Sequence, residues 1–389
     1  MLNFDDIRFN CRLYNGYKPC RYGMNCQQCQ HFEPITGYTQ KDLSCPIPVS
    51  SETTADNNAI LIIKTGALGD VLRTTTLLPA LANAFPNTPI DWVTAKNARP
   101  LLENNPYIRE LFTLDSQQDL EQIVAQQKWT SLYCFEKTDL PLKLAGIINA
   151  RKRFGFGPNH AGKPVAFTPE GRYALMLGLD DNLKFHKNKK PYSRVITETA
   201  GLVWNRAPYV MAVNPAPKKT TQLTIGLNTG CGDVFKTKQW PQENWQSLAN
   251  IIHKNHPQAA IWLLGGPSEE SMNASIAEQA PFVVNTGNRH SLLEFADIIA
   301  QCNIIVSADT MAMHMGIALE KFVIAIFGST SAEEIDLYDR GICVIAQADC
   351  RPCFKKQCPH TCDGSSKCMR DLNAETVYSA MASEINSEN

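Results

Sequence analysis

Four short stretches carry reactive side chains, and three of them add glycines that would bring the backbone close to a ligand. The first is Lys64-Thr-Gly66-Ala-Leu-Gly69-Asp70-Val-Leu-Arg73. Gly66 and Gly69 permit a tight turn and a close backbone approach. Asp70 would then stand at the carboxyl end of a strand, where open α/β sheets bind ligands. A carboxylate placed there can take a proton from an acceptor hydroxyl, but aspartate is also a preferred helix N-cap with no chemistry of its own. The spacing is not GxGxxG, so it carries no dinucleotide fingerprint. The second stretch runs Asn228-Thr-Gly230-Cys-Gly-Asp-Val-Phe-Lys-Thr-Lys238-Gln-Trp240-Pro241. A glycine-containing loop followed by lysines can present N–H groups and ammonium charge to phosphates, and Pro241 suits the first turn of a following helix. The plain alternative is a surface loop with solvated lysines.

The third stretch is Ser307-Ala-Asp309-Thr310-Met-Ala-Met-His314. Asp309 or Thr310 can cap the helix that begins here. Thr310 and His314 are four residues apart, so they share one helix face. A hydroxyl and an imidazole at a helix N-terminus make an anion site for a diphosphate. A histidine on an apolar helix is also a common core residue, and Met311, Met313 and Met315 read first as packing. The fourth is Gly265-Gly266-Pro-Ser-Glu269-Glu270. Its acid could meet ribose hydroxyls or simply complement a helix dipole.

The elements that must position these residues alternate short apolar runs with helical spacing. Strands are expected at 59–64, 90–94, 111–114 and 131–135, with helices at 71–85, 101–104 and 120–127. A second alternation places strands at 223–227, 259–264, 282–284, 304–306 and 323–327, with helices at 245–253, 269–278, 292–301 and 311–319. Each motif follows an expected strand, so all four belong at carboxyl strand ends. That pattern predicts two Rossmann-like, doubly wound α/β domains in tandem, an architecture of GT-B type with ligands between them. Residues 50–58 (SSETTADNN) read as a linker and the Pro- and Lys-rich 205–220 as a hinge. The expected organisation is a small Cys-rich module over 1–50, an acceptor-side domain over 59–205 and a nucleotide-sugar-binding domain over 218–389.

Composition narrows the function class. The chain has 389 residues, 44% of them hydrophobic, and 37 basic residues against 38 acidic. Two domains are the natural count for that length. A near-neutral balance argues against nucleic acid as a partner. No apolar run approaches the roughly 20 residues of a membrane span, and the N-terminus lacks an apolar signal core, so a cytoplasmic location is expected. Basic runs at 151–153 and 184–190 could attract an anionic acceptor or the membrane surface, or be solvated faces.

The motifs together resemble glycosyltransferase family 9, the ADP-heptose:lipopolysaccharide heptosyltransferases, over roughly residues 59–380. ILIIKTGALGDVLRTT is similar to the family's first strand and loop. KxWP (Lys238, Trp240, Pro241) and D-T-x-x-x-H (Asp309, Thr310, His314) follow in the family's order, and FGSTSAEEIDLY resembles its FGPT loop with Ser329 for proline. The resemblance implies an inverting transfer from ADP-heptose to a lipopolysaccharide core acceptor at the inner membrane's cytoplasmic face. It implies Asp70 as general base, Lys238 at the donor diphosphate and Glu269 near the donor ribose. Asp309 and Thr310 match the sugar and phosphate loop, and His314 the motif histidine; no cofactor is required for transfer. Three departures stand out. Met311 replaces the glycine after the D-T pair, which leaves the donor sugar open. Arg73 stands where prominent members have histidine. The first 50 residues have no counterpart in the shorter heptosyltransferases.

Fourteen cysteines complete the reading. Cys11, Cys20, Cys26 and Cys29 supply four thiolates in a segment too poor in apolar residues to fold unaided, which points to structural zinc. Cys350, Cys353, Cys358, Cys362 and Cys368 form a second candidate cluster. An iron–sulfur cluster is the alternative at either place. Two other functions remain in view. One is a transferase of the same fold using another nucleotide sugar or a protein or capsule acceptor. The other is an inactive body carrying a zinc-binding interaction module.

Overall fold

The computed structural model describes residues 3–23, 26–48, 59–126, 128–212, 222–232, 234–361 and 366–388. The linker expected at 50–58, the part of the hinge over 213–220, and Cys362 lie outside the described residues. The chain divides into two units, Met1–Ala212 and Val213–Asn389.

The first unit is built on β1 (Ala59–Ile63), β2 (Ile90–Thr94), β3 (Ile108–Thr113), β4 (Trp129–Cys134), β5 (Lys152–Pro158) and β6 (Pro164–Ala166). Their order across the sheet is β3-β2-β1-β4-β5-β6, parallel except for the β5–β6 edge pair. The second unit carries β7 (Thr224–Asn228), β8 (Ala260–Leu264), β9 (Val283–Asn285), β10 (Ile304–Ala308), β11 (Phe322–Phe327) and β12 (Gly341–Ile345). Their order is β12-β11-β10-β7-β8-β9, parallel throughout. Every residue of β1, β2, β7 and β10 is buried. This is why these strands read as continuous apolar runs rather than alternating ones. In both sheets the first strand is central and the chain reverses direction across it. The switch points therefore fall between β1 and β4 and between β7 and β10, and ligand crevices form at the carboxyl ends of strands flanking such points.

Several expected elements change shape. The helix expected over 71–85 is two helices, Leu68–Thr74 and Leu77–Ala84. The break falls at three successive threonines, Thr74 to Thr76, whose hydroxyls bond backbone carbonyls: Thr76 reaches the distant Ala207, while Thr74 bonds Asp70 at 2.6 Å and Thr75 bonds Leu72 at 2.5 Å. Such local bonds compete with a continuing helical ladder. The helix expected at 101–104 is a 3₁₀ turn, Arg99–Leu101. β5, β6 and β12 have no counterpart in the periodicity reading. The basic run at 151–153 leads into β5. Arg153 lies 4.1 Å over the Phe167 ring and donates to the Ile47 carbonyl at 3.2 Å, so it is a packing residue rather than part of a charged patch.

The N-terminal segment buries its few apolar side chains on the first unit. Ile7, Phe9, Tyr14 and Leu43 form one cluster with Leu142, Phe156, Val165, Leu175, Met176 and Leu179. The Tyr14 hydroxyl donates to the Pro164 carbonyl at 2.7 Å, and the Ile47 N–H to Pro158 at 2.9 Å. Packing on its neighbour thus offsets the segment's shortage of apolar residues. No helix among the described residues is long and apolar enough to cross a membrane.

Candidate active site

Asp70 does not cap its helix. Ala67 holds the N-cap position and Asp70 lies in the first helical turn, half-buried, just beyond β1. Arg73, one turn on, pairs with Asp70 Oδ1 at 2.7 Å and stacks 3.7 Å over the Tyr192 ring. The Tyr192 hydroxyl sits 3.0 Å from that of Thr74. Beneath the loop, Lys64 and Glu136 form a buried ion pair at 2.9 Å. Glu136 Oε1 also accepts the N–H groups of Thr65 at 2.9 Å and Gly66 at 2.6 Å. A Cβ at Gly66 would meet Glu136 Oε1 at 3.0 Å and Lys64 Nζ at 3.2 Å, so glycine here lets the pair lie directly under the turn. Gly69 is the second residue of the helix. Burial works against the Lys64 charge, but the Glu136 and Asp70 carboxylates outweigh it and hold the ammonium above the ordinary lysine value. Burial also pushes the Tyr192 phenol up, which keeps it neutral at physiological pH.

In the second unit, loops far apart in sequence meet at the carboxyl ends of β7 and β10. Lys238 Nζ donates to the Asp309 carbonyl at 2.9 Å and to its Oδ2 at 3.0 Å. His314 is buried, with Nε2 3.8 Å from Asp309 Oδ1. Thr310 is the N-cap of the helix Met311–Ala318 but makes no side-chain capping bond. Its hydroxyl instead lies 3.0 Å from that of Ser307 and 3.3 Å from Asn228 Nδ2. Asn228 also donates to the Gly230 carbonyl at 2.9 Å. The first-turn amides of that helix therefore face the end of the strand pair, where they can bind an anion. Glu269 is buried and accepts the Gly266 N–H at 2.9 Å, and a Cβ at Gly230 would come 2.5 Å from its carboxyl carbon. Trp240 explains the spacing of the KxWP motif. It is fully buried, donates to the Leu372 carbonyl at 2.8 Å, and meets Trp245 edge-on at 4.8 Å. It pins the loop two residues beyond Lys238. Pro241 is the N-cap of the helix Gln242–Asn255.

Sequence reasoning missed Glu136 and Tyr192 as members of these sites, and gave no role to Asn228 and Ser307, which open two of its candidate stretches. Glu136 follows β4 directly, so the rule that picked out the other loops applies to it as well. Tyr192 had no signal, because only tertiary packing brings it to Arg73.

Among the described residues no cysteine forms a disulfide. Cys26 lies within electrostatic reach of Cys20, Cys11 and Cys29 and accepts a backbone N–H from Arg8, while burial pushes its thiol up. Cys350 is likewise near Cys353, Cys368 and Cys358. Among the described residues, no group of three or more His, Cys, Asp or Glu side chains has a metal-holding geometry.

Residues 212–363 match the family model described as glycosyltransferase family 9 (heptosyltransferase). Lipooligosaccharide heptosyltransferase 2 of Haemophilus influenzae is 25% identical over 307 residues, covering 70% of this chain and 84% of its own. The structure of Escherichia coli ADP-heptose LPS heptosyltransferase II superposes with a TM-score of 0.63 at 18% identity, over 85% of this chain and 99% of that one. A family 9 glycosyl transferase from Veillonella parvula gives a TM-score of 0.64 at 17% identity, over 88% and 99%. Both structural likenesses bear on the fold, two parallel-sheet α/β units of the kind found in GT-B enzymes. Residues 212–363 form a glycosyltransferase family 9 (heptosyltransferase) domain, and the chain that carries it is a glycosyltransferase.

Proposed function

We propose that the chain is an inverting transferase that moves heptose from ADP-heptose to a lipopolysaccharide core acceptor. One observation carries the reading: Lys238, Asp309, Thr310 and His314, separated by about 70 positions, converge at the β7–β10 switch point beside an uncapped helix N-terminus. That is a diphosphate site in both charge and geometry. The names of the relatives supply the sugar and the acceptor. The first unit provides the acceptor side and the second the donor side. Asp70 takes the proton of the acceptor hydroxyl as its oxygen attacks the anomeric carbon. The bond from that carbon to the ADP oxygen breaks on the opposite face, inverting the centre. Lys238 and the amides after Thr310 stabilise the departing diphosphate. Glu269 stands at the donor ribose, with Gly230 leaving it room. These charges serve the transfer step without a metal.

With a lipid-linked acceptor, the place of work is the cytoplasmic face of the inner membrane, and the stretch 184–190 is the candidate contact. Structural zinc on Cys11, Cys20, Cys26 and Cys29 belongs to this reading, as does a second site among Cys350, Cys353, Cys358, Cys362 and Cys368. Three thiols near Cys26, four with its own, and an N–H donor to its sulfur suit a thiolate-bound metal. The chain is thereby a branch of the family with a Cys-rich N-terminal extension. Metal analysis of the purified protein and of Cys26→Ser checks this part, with loss of one equivalent expected.

Calorimetric titration with ADP-heptose, ADP and UDP-sugars, for wild type and Lys238→Ala, tests the transferase reading. Micromolar ADP-heptose binding that is lost in the variant is the expected result. A preference for another nucleotide sugar would assign a new donor, with Met311 as the cause. Absence of binding to any of them would overturn the reading.

A further inference from the structure

The C-terminal cysteine-rich segment has a role that no motif assigns to it. Lys238 ends a 3₁₀ turn, Lys236–Lys238, whose middle residue, Thr237, is fully buried. The Thr237 hydroxyl lies 2.6 Å from the Lys355 carbonyl and 3.0 Å from the Ser329 hydroxyl. A hydroxyl has one proton, and a carbonyl can only accept. Thr237 is therefore the donor, with its proton directed at the nearer Lys355 carbonyl and the Ser329 hydroxyl accepting on its other side. Ser329 is itself fully buried, and its carbonyl accepts the N–H groups of Cys353 at 3.0 Å and Phe354 at 2.9 Å. Arg351 Nε donates to the neighbouring Gly328 carbonyl at 2.9 Å. Gly328 packs so closely that a Cβ there would lie 2.4 Å from Met369 Sδ and 3.2 Å from Cys368 Sγ. Residues 351–355 are thus bonded on one side to the loop after β11 and on the other to the turn that carries Lys238. Trp240 anchors the far side of the same turn.

We infer that segment 351–355 is a brace for the donor site, and that Thr237 is the positioning residue through which it fixes Lys238. This rests on Lys238 being the diphosphate lysine. Part of the connection depends on Ser329, which stands where the FGPT pattern has a proline that could offer no hydroxyl. A lysine side chain has many rotamers, and a diphosphate rewards only those that aim its ammonium at the phosphates. Two buried hydroxyls hold the turn without placing another charge near the phosphates.

The test is a double-mutant cycle on ADP affinity, measured by calorimetry on the full chain. Thr237→Val keeps the side-chain shape and removes the hydroxyl. It should weaken ADP binding about tenfold, and Thr237→Ser should restore affinity to within about twofold. In a Lys238→Ala background, Thr237→Val should add almost nothing, because its effect passes through the missing lysine. If it weakens ADP equally in both backgrounds, or in neither, the brace is overturned. Lys238→Ala binding ADP as wild type does would instead overturn the donor reading, a separate outcome. If Thr237→Val fails to fold, Ser329→Ala enters the same cycle. It leaves the Thr237–Lys355 bond in place and should weaken ADP about threefold, again only when Lys238 is present.

Discussion

The loop that carries Asp70 and the loop that carries Lys238 hold equivalent places, each just past the central strand of a sheet with the same strand order. They are built in opposite ways. Around Asp70 the neighbours are charged and mutually neutralising: Arg73, the Lys64–Glu136 pair, and a neutral Tyr192. Lys238 itself is held by the Asp309 carboxylate, and the turn and strand ends around it are tied by neutral groups: Asn228, Ser307, Thr310, Thr237 and Ser329. Side-chain exposure follows the same division, at 7% and 8% for Lys64 and Glu136 against 20% and 18% for Lys238 and Asp309. The difference matches the proposed tasks. A loop that must hold one carboxylate still can be locked by buried charge. A loop that must receive a diphosphate needs its cation exchangeable, so its shape is set by groups that do not compete for the phosphate.

The strongest way to break this comparison is at Asp70. Asp70→Asn keeps the shape and the amide can still meet Arg73, but it cannot accept the proton. Transfer should fall about 10³-fold, while ADP affinity, a property of the second unit, stays at the wild-type value. Unchanged turnover would remove the reason for the charged lock. Next in size is the lock itself. Lys64→Met strands Glu136 beneath the loop without its partner, and breaking a buried pair costs about 3–5 kcal/mol. The less buried pair in the second unit should behave differently, with Asp309→Asn costing about 1 kcal/mol or less in stability. Urea denaturation of the two variants measures both costs, and equal losses would contradict the division drawn here. Lys238→Ala ranks third in free energy. It should lower kcat/KM about 100-fold and leave the melting temperature nearly unmoved, because Thr237 and Trp240 hold the turn on either side.

The sequence discloses the two sides of the comparison unequally. Short apolar runs announce β1, β7 and β10, and the motifs after them, glycine-bearing in the first two, point to Asp70, Lys238 and Asp309. All of these depend on local pattern. The lock around Asp70 does not, because Glu136 and Tyr192 lie 66 and 122 residues along the chain and only the packing of β4 and the helix Tyr192–Thr199 brings them in. β5, β6 and β12 escaped for a related reason. Lys152–Pro158 opens with two basic residues and carries glycines at 155 and 157, so nothing in its own composition reads as a strand. Its place is set by pairing with β4 and by Phe156 meeting the N-terminal segment. That segment is too poor in apolar residues to build its own core, and the partners that complete the core, from Leu142 to Leu179, lie about 100 residues or more along the chain.

The smallest expected effect sharpens the charged side of the comparison through pH. Lys137 follows Glu136, donates to the Ala174 carbonyl at 3.1 Å and lies 4.3 Å over the Phe156 ring. Burial brings its ammonium down to about 7, Lys184 and Lys64 push the same way, and Glu136 opposes them. The unfolded value is about 10.4, so between pH 7 and 10 the unfolded chain holds a proton that the folded chain does not. Stability must then rise with pH across that window, by at most about 1.4 kcal/mol per unit and by less where solvent screens this half-buried side chain. Below pH 7 both states bind the proton and the slope disappears. Lys137→Met should flatten the rise. The measurement is the difference in urea midpoint between variant and wild type at pH 7, 8 and 9, which cancels the titration of every other group. The variant's advantage should be greatest at pH 7 and shrink by pH 9. A difference that stays constant would mean that Lys137 titrates as a solvated lysine, and that the first unit's cluster ends at the Lys64–Glu136 pair.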